Sequence, residues 1–150
     1  MSETMQQEML MMVPQFMTIC VNENEGVVEL HLRGDFTSPR ENTQELAQLH
    51  AMSSEFETIR VFINSDGGNV HTMVDIMSVL KMFPTVVTIG VGCIASCGFM
   101  LWCAGDIRVI QPHTLVMAHR ESYTLSGTTK NHKVVSSHSD ILYERVCYAN

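Results

Sequence analysis

The sequence predicts a single α/β domain built on a largely parallel sheet, with polar groups gathered beyond the carboxyl ends of its strands. Three observations predict this fold class: strand and helix patterns alternate along the chain, the third strand is a continuous apolar run typical of a buried parallel strand, and no internal repeat or linker divides the chain. We therefore treat residues 1–150 as one domain, with 1–26 as an N-terminal segment free to be flexible.

The first half of the chain contains two strand-helix units. "VVELHL" at 27–32 alternates apolar and polar residues as a half-buried strand does, and 40–52 carries apolar residues at helical spacing. "TIRVFIN" at 58–64 is a second strand, which ends at the turn "SDGG" (65–68). The residues from 70 to 81 follow with apolar positions on one helical face, which predicts a second helix.

The second half begins with the apolar strand 85–92, which leads directly into "SCGFMLWCAG", a short helix apolar on all sides and therefore expected in the interior. Two further short strands, "IRVI" and "TLVMAH", flank a turn at 111–113. A long apolar stripe at helical spacing over 128–150 predicts a C-terminal helix whose exposed face would seek another subunit.

Composition excludes several classes of function. The net charge is −7 and the nine Lys and Arg are scattered, which disfavours a nucleic-acid partner. Apolar runs fall short of the ~18 residues of a membrane span, and the N-terminus has no basic region of a secretory signal, which favours a cytoplasmic protein without a membrane partner. Five cysteines, with no CxxC pair or repeated Cys/His spacing, predict reduced thiols, no metal and no cofactor.

Three polar features fall at strand ends: the "SDGG" turn, Ser96 and His119. A serine at a strand-to-helix turn is a candidate acyl-enzyme nucleophile, and it needs a base such as His119 within hydrogen-bond reach. Gly67 and Gly68 let the backbone approach a substrate closely and offer an N–H to an oxyanion. The alternatives are plain: a helix N-cap for Ser96, a structural role for His119 and a simple turn at the glycines.

Three motifs in register resemble the Clp protease proteolytic subunit (ClpP) family. They are "INSDGGNV" (63–70), "GCIASCGF" (92–99) and "LVMAH" (115–119), and the resemblance covers roughly residues 27–145. It implies a crotonase-like, ClpP-like spiral of ββα units with a C-terminal handle helix, which would begin within 128–150. It also implies homo-oligomeric rings, a partner AAA+ unfoldase that alone uses ATP, unfolded polypeptide as substrate, and no cofactor for the chain itself.

The resemblance also assigns roles to individual residues. It makes Ser96 the nucleophile, His119 the general base, and the backbone N–H groups of Gly68 and Cys97 the oxyanion hole. It further implies substrate contacts at two positions, Val70 and Ser122.

The sequence departs from the family pattern in ways that leave two functions open. Asp66 stands where the family usually has proline, and Arg120 follows His119 where the family commonly has glutamine. The family's triad aspartate lies beyond the handle helix, whereas this chain stops at Asn150, so we expect a divergent, C-terminally shortened member in which Asp140 is a poor substitute. A Ser-His pair without its acid loses about four orders of magnitude in rate.

The first hypothesis is therefore an active Clp-type serine endopeptidase. The second is a catalytically impaired structural or regulatory subunit, or a fragment, lacking the third triad residue. An acyl-CoA enzyme of the crotonase class is disfavoured, because its chemistry needs the oxyanion hole but no serine nucleophile.

Overall fold

The computed structural model describes residues 15–119, which form one six-stranded mixed sheet with helices packed on one of its faces. The strands are β1 (Met17–Asn22), β2 (Val27–Arg33), β3 (Thr58–Ser65), β4 (Thr85–Ala95), β5 (Ile107–Ile110) and β6 (Leu115–Met117). The helices are α1 (Thr43–Met52), preceded by a 3-10 turn, α2 (Val70–Leu80) and α3 (Cys97–Cys103).

The strand order is β1-β2-β3-β4-β5, and β6 pairs with the far end of β4. β1 runs antiparallel to β2, and all the other pairings are parallel. The carboxyl ends of β3, β4 and β6 therefore meet at one edge of the sheet. The mixed α/β architecture that the sequence predicts is confirmed over these residues.

Burial alternates along β2 and β3, as one helix-covered face requires. The covered face carries fully buried residues such as Leu30, Val61 and Ile63, which pack against Met73 and Ile76 of α2. The other face, called here the open face, carries polar and half-buried side chains. The short helix α3 is largely interior, as its composition predicts, and Trp102 Nε1 ties it to β5 by donating to Val109 O at 3.0 Å.

Two features differ from the sequence prediction. The first is β1, which lies within the N-terminal segment 1–26 and was not predicted as a strand. It is an edge strand with only Met17 buried, so its sequence lacks a strong alternating signal, and its register comes from pairing with β2.

The second difference is the length of β4, which continues to Ala95 rather than ending at 92. Between the pairs Ile63↔Gly90 and Ser65↔Ile94, β3 has one residue and β4 has three, so β4 bulges there. Gly92 makes the bulge possible because its φ is +72°, a conformation that glycine adopts without steric cost. The strand thus resumes after the glycine and delivers Ser96 to the sheet edge.

Within residues 15–119, no helix has both the length and the apolar character needed to cross a membrane. The predicted C-terminal helix over 128–150 and the predicted substrate contact Ser122 lie outside the described residues.

Candidate active site

The candidate site forms where β3, β4 and β6 end side by side. Ser96 follows the last residue of β4 directly, and its N–H donates to Met117 O, the last residue of β6, at 3.0 Å. The "SDGG" turn leaves the end of β3 at the same edge. The structure therefore brings together two of the three polar features that the sequence singled out, and it anchors the strand that leads to the third.

Ser96 has a strained backbone. Its φ and ψ are +52° and −120°, in a region that side-chain-bearing residues rarely occupy and that costs on the order of 1–3 kcal/mol. Among the described residues, the hydroxyl makes no capping hydrogen bond to α3. Ser96 thus occupies the N-cap position of α3 without capping it through its side chain, and the sharp strand-to-helix turn matches the way serine nucleophiles are presented on other α/β folds.

Gly67 packs directly against the Ser96 side chain. A Cβ at Gly67 would lie 2.6 Å from Ser96 Cβ and 3.1 Å from Ser96 Oγ, which is too close for any side chain. The φ of Gly67 is +114°, so glycine is required there by its conformation as well as by space. The glycine turn is consequently part of the wall around the hydroxyl rather than a remote loop.

Gly68 lies against both Phe36 and the start of α3. Phe36 N–H donates to Gly67 O at 2.7 Å, and Asn69 N–H donates to Phe36 O at 2.9 Å, so the N–H of Gly68 takes no part in this bridge. The Gly68 carbonyl accepts from Cys97 Sγ at 3.3 Å. The two residues predicted to form an oxyanion hole, Gly68 and Cys97, are therefore in contact beside Ser96.

Three residues that the sequence analysis gave no role hold this arrangement in place. Ser65 is buried, and its Oγ accepts from Gly67 N–H at 3.1 Å, which fixes the turn. Asn64 Oδ1 accepts from Cys93 N–H at 3.1 Å and so supports the β4 bulge. A Cβ at Gly98 would lie 3.0 Å from Ser65 O, so this glycine lets α3 approach β3. All three lie within the quoted motifs "INSDGGNV" and "GCIASCGF", so the motifs were the sequence feature from which their importance could have been predicted.

His119 is exposed and follows the end of β6 by two residues. Because two residues of extended chain span at most about 7 Å, the Met117 contact confines the His119 backbone to the neighbourhood of Ser96. Val70 is the first residue of α2 and is half-buried against the core. Only the N-cap residue, Asn69, separates it from Gly68. Its predicted substrate contact stays a prediction.

Asp66 brings a negative charge to the site. It is exposed at the turn, and its hydrogen bond with the Cys93 thiol, together with burial, raises the pKa of Cys93 above its ordinary value. The thiol is therefore held in its protonated, weakly nucleophilic form near neutral pH. This environment favours Ser96 over Cys93 as the nucleophile of the site.

A separate pocket lies at the carboxyl ends of β2 and β3. Its lining residues are His31, Leu32, Arg33, Phe62, Ile63, Asn64 and Val91. Ser96 is not among them. Because a pocket by itself supplies no nucleophile, the strained serine is the better candidate for the chemical centre.

Comparison with known proteins points to one family. The Clp protease family model matches residues 29–145. ATP-dependent Clp protease proteolytic subunit 2 of Thermobifida fusca is 38% identical over 95 residues, which cover 61% of this chain and 46% of the relative. Proteolytic subunit 3 of Streptomyces coelicolor is 28% identical over 120 residues, covering 78% and 55%. The chain spans about half the length of the curated relatives it matches.

Proposed function

This chain belongs to the Clp protease family, and we propose that it is a proteolytic subunit that hydrolyses peptide bonds through Ser96. One observation carries the proposal: Ser96 sits in a strained turn at the meeting point of three strand ends, with the side-chain-free face of Gly67 against its hydroxyl. Strain of this kind persists where the surrounding structure enforces it, as at catalytic nucleophiles.

In the proposed reaction, Ser96 Oγ attacks the scissile carbonyl carbon while the His119 imidazole accepts the hydroxyl proton. The N–H groups of Gly68 and Cys97 donate to the oxygen that becomes negatively charged. His119 then gives its proton to the leaving amine, and a water molecule hydrolyses the acyl-enzyme to regenerate Ser96. The hydrogen bond from Cys97 Sγ to Gly68 O keeps these two residues side by side next to Ser96.

The same resemblance supports proposals about assembly and location. The relatives are named as proteolytic subunits of an ATP-dependent protease. We propose that this chain forms homo-oligomeric rings, receives unfolded polypeptide from an AAA+ unfoldase that consumes the ATP, needs no cofactor of its own and works in the cytoplasm. Val70 and Ser122 are the proposed substrate contacts.

Labelling with a fluorophosphonate tests the nucleophile. The intact chain should be modified at Ser96 alone, as located by peptide mass spectrometry, and Ser96→Ala should not be labelled. Ser126→Ala is a matched control that should be labelled like the parent. Modification at another serine, or equal labelling of Ser96→Ala, would overturn the assignment.

Peptide hydrolysis distinguishes the active subunit from the impaired one. Cleavage of unstructured peptides that is lost in Ser96→Ala supports the endopeptidase. Labelling of Ser96 without turnover supports the subunit that lacks an orienting acid.

A further inference from the structure

Three metal-ligating side chains meet on the open face of the hairpin formed by β1 and β2. Cys20 of β1 stands opposite Glu29 of β2 in the antiparallel register. His31 lies two residues beyond Glu29 on the same strand, so its side chain emerges on the same face. The ligand atoms of the three side chains all lie within 4.8 Å of one another.

The distances are close to those of a tetrahedral metal site. Zinc bonds of about 2.3 Å to sulfur and 2.0–2.2 Å to nitrogen and oxygen place neighbouring ligand atoms about 3.4–3.6 Å apart. Here His31 Nε2 lies 3.5 Å from Glu29 Oε2. Cys20 Sγ lies 4.0 Å from the same oxygen. Small side-chain rotations, without movement of the strands, would complete the geometry.

The surroundings orient Glu29 and His31 for this role. Asn22 Nδ2 donates to Glu29 Oε1 at 3.3 Å, and Arg60 Nη1 lies 3.8 Å from that oxygen. The carboxylate thus has one oxygen held by polar neighbours and the other turned toward Cys20 and His31. The His31 ring is stacked on Phe62, with centroids 4.6 Å apart and planes 3° apart, which limits its rotation. Such outer contacts are what fix metal ligands in place.

We propose that Cys20, Glu29 and His31 bind one divalent transition-metal ion, with Zn²⁺ as the reference ion. A thiolate and an imidazole suit Zn²⁺ and its neighbours in the transition series, whereas Mg²⁺ and Ca²⁺ prefer all-oxygen ligands. On binding, the Cys20 thiol loses its proton to solvent and forms the metal-sulfur bond. Water would complete the fourth position.

The sequence predicts no metal, because these three residues form no recognisable pattern along the chain. They are separated by nine and two residues, a spacing that fits no linear metal-binding motif. Only the antiparallel register of β1 and β2 brings Cys20 beside Glu29. A bound ion would link the edge strand β1 to β2, and none of its ligands belongs to the proposed catalytic set.

Metal binding is measured on the intact chain after chelator treatment, by titrating Zn²⁺ in competition with a chromophoric chelator. We expect one equivalent to bind at the site. Cys20→Ser and His31→Gln should each weaken binding by more than tenfold, because losing even an outer partner of a metal ligand costs 10–100-fold. Cys103→Ser is the matched control and should bind like the parent. Circular dichroism of each variant checks that the fold is retained, and Glu29→Gln replaces any variant that fails this check.

Two further readouts locate the ion. Zn²⁺ should slow alkylation of Cys20 selectively, as followed by peptide mass spectrometry, and Co²⁺ should produce a thiolate charge-transfer absorption that Cys20→Ser lacks. Absence of binding, binding unchanged in Cys20→Ser, or protection of other cysteines with Cys20 still reactive would each overturn the proposal. None of these results depends on peptidase activity, so failure here is distinguishable from failure of the proposed function.

Discussion

At the scale of single residues, the candidate site depends on a backbone conformation rather than on an unusual side chain. Ser96 is held at φ +52° by the bond from its own N–H to Met117 O and by the helix that starts at Cys97. The strain is offset by the packing of the surrounding core. Side-chain substitutions that leave this backbone in place should therefore change catalytic activity without changing the stability of the fold.

The first prediction concerns His119. We expect His119→Ala to abolish fluorophosphonate labelling of Ser96, because an unassisted serine hydroxyl is a weak nucleophile. The melting temperature should change little, since the residue is exposed at the end of the described sheet. His113→Ala serves as a control, because that residue is equally exposed but lies in the turn before β6. Retained labelling in His119→Ala would exclude it as the base.

The second prediction concerns Asp66. Its carboxylate disfavours negative charge developing nearby, so Asp66→Asn should raise kcat/KM for peptide hydrolysis by roughly fivefold, equivalent to about 1 kcal/mol of charge repulsion. Asp75→Asn changes the net charge equally from the exposed side of α2 and should leave the rate unchanged. A lower rate in Asp66→Asn would contradict the electrostatic interpretation.

Asp66→Asn has a second, independent consequence at Cys93. The hydrogen bond with Asp66 is the main cause that raises the pKa of this thiol, with burial second. Removing the carboxylate should lower the pKa of Cys93 and increase its thiolate fraction at any pH below that pKa. The rate of Cys93 alkylation at mildly alkaline pH should therefore rise, and an unchanged rate would show that the two groups do not interact.

At the scale of elements, the turn after β3 determines the position of the Ser96 side chain. Ser65 fixes Gly67 through a hydrogen bond, and Gly67 in turn limits where the Ser96 side chain can lie. The helix α3 completes the site because Gly98 allows it to contact the end of β3. Each element therefore positions the next, and steric changes in the turn should act on catalysis.

The third prediction tests this coupling with two glycines of positive φ. Gly67→Ala should lower peptidase activity by about a hundredfold, because displacing a reacting group by about 1 Å costs that much. Gly26→Ala is the matched control: its φ is +65°, but a Cβ there meets nothing within 4 Å. Gly26→Ala should cost about 1–2 kcal/mol of backbone strain. Gly67→Ala should cost more, because its φ of +114° lies outside the left-handed helical region and its Cβ would meet Ser96. Equal activity in the two variants, measured at equal folded fraction, would show that Gly67 does not position Ser96.

At the scale of the whole molecule, the described chain exposes an apolar surface along β5 and β6. Its members are Ile107, Val109, Ile110, Leu115, Val116 and Met117, with Leu115 71% exposed and Ile107 53% exposed. Large apolar side chains that are exposed in this number are candidates for burial against another subunit. This surface and the predicted C-terminal helix are two candidate assembly elements.

The fourth prediction assigns the assembly surface by sedimentation velocity at micromolar concentration. We expect the parent chain to sediment as an oligomer, and Ile107→Glu with Leu115→Glu to sediment as smaller species, because charged residues cannot be buried unpaired in an interface. Ile141→Glu with Leu142→Glu tests the C-terminal helix in the same way. Glu55→Gln, at an exposed position outside both surfaces, should leave the sedimentation coefficient unchanged.

A monomeric parent would contradict assembly through either surface. An unchanged coefficient in one double variant would remove that surface alone and leave the other as the interface.

The sequence by itself determined the order of strands and helices from β2 onward and the identity of the candidate nucleophile. Hydrophobic periodicity reports burial directly, so β2, β3 and both long helices could be placed from their patterns. The quoted motifs identified Ser96, Gly68 and His119, because glycines and a serine at strand ends carry a recognisable chemistry.

Only the tertiary structure decided how these residues are arranged. The strained φ of Ser96, the contact with Gly67 and the bulge at Gly92 arise between segments about 30 residues apart, and local patterns carry no record of such contacts. The meeting of Cys20 with Glu29 has the same origin, since a strand register is set by pairing and not by local propensity. Periodicity determines which side of an element is buried, but long-range pairing determines which side chains meet.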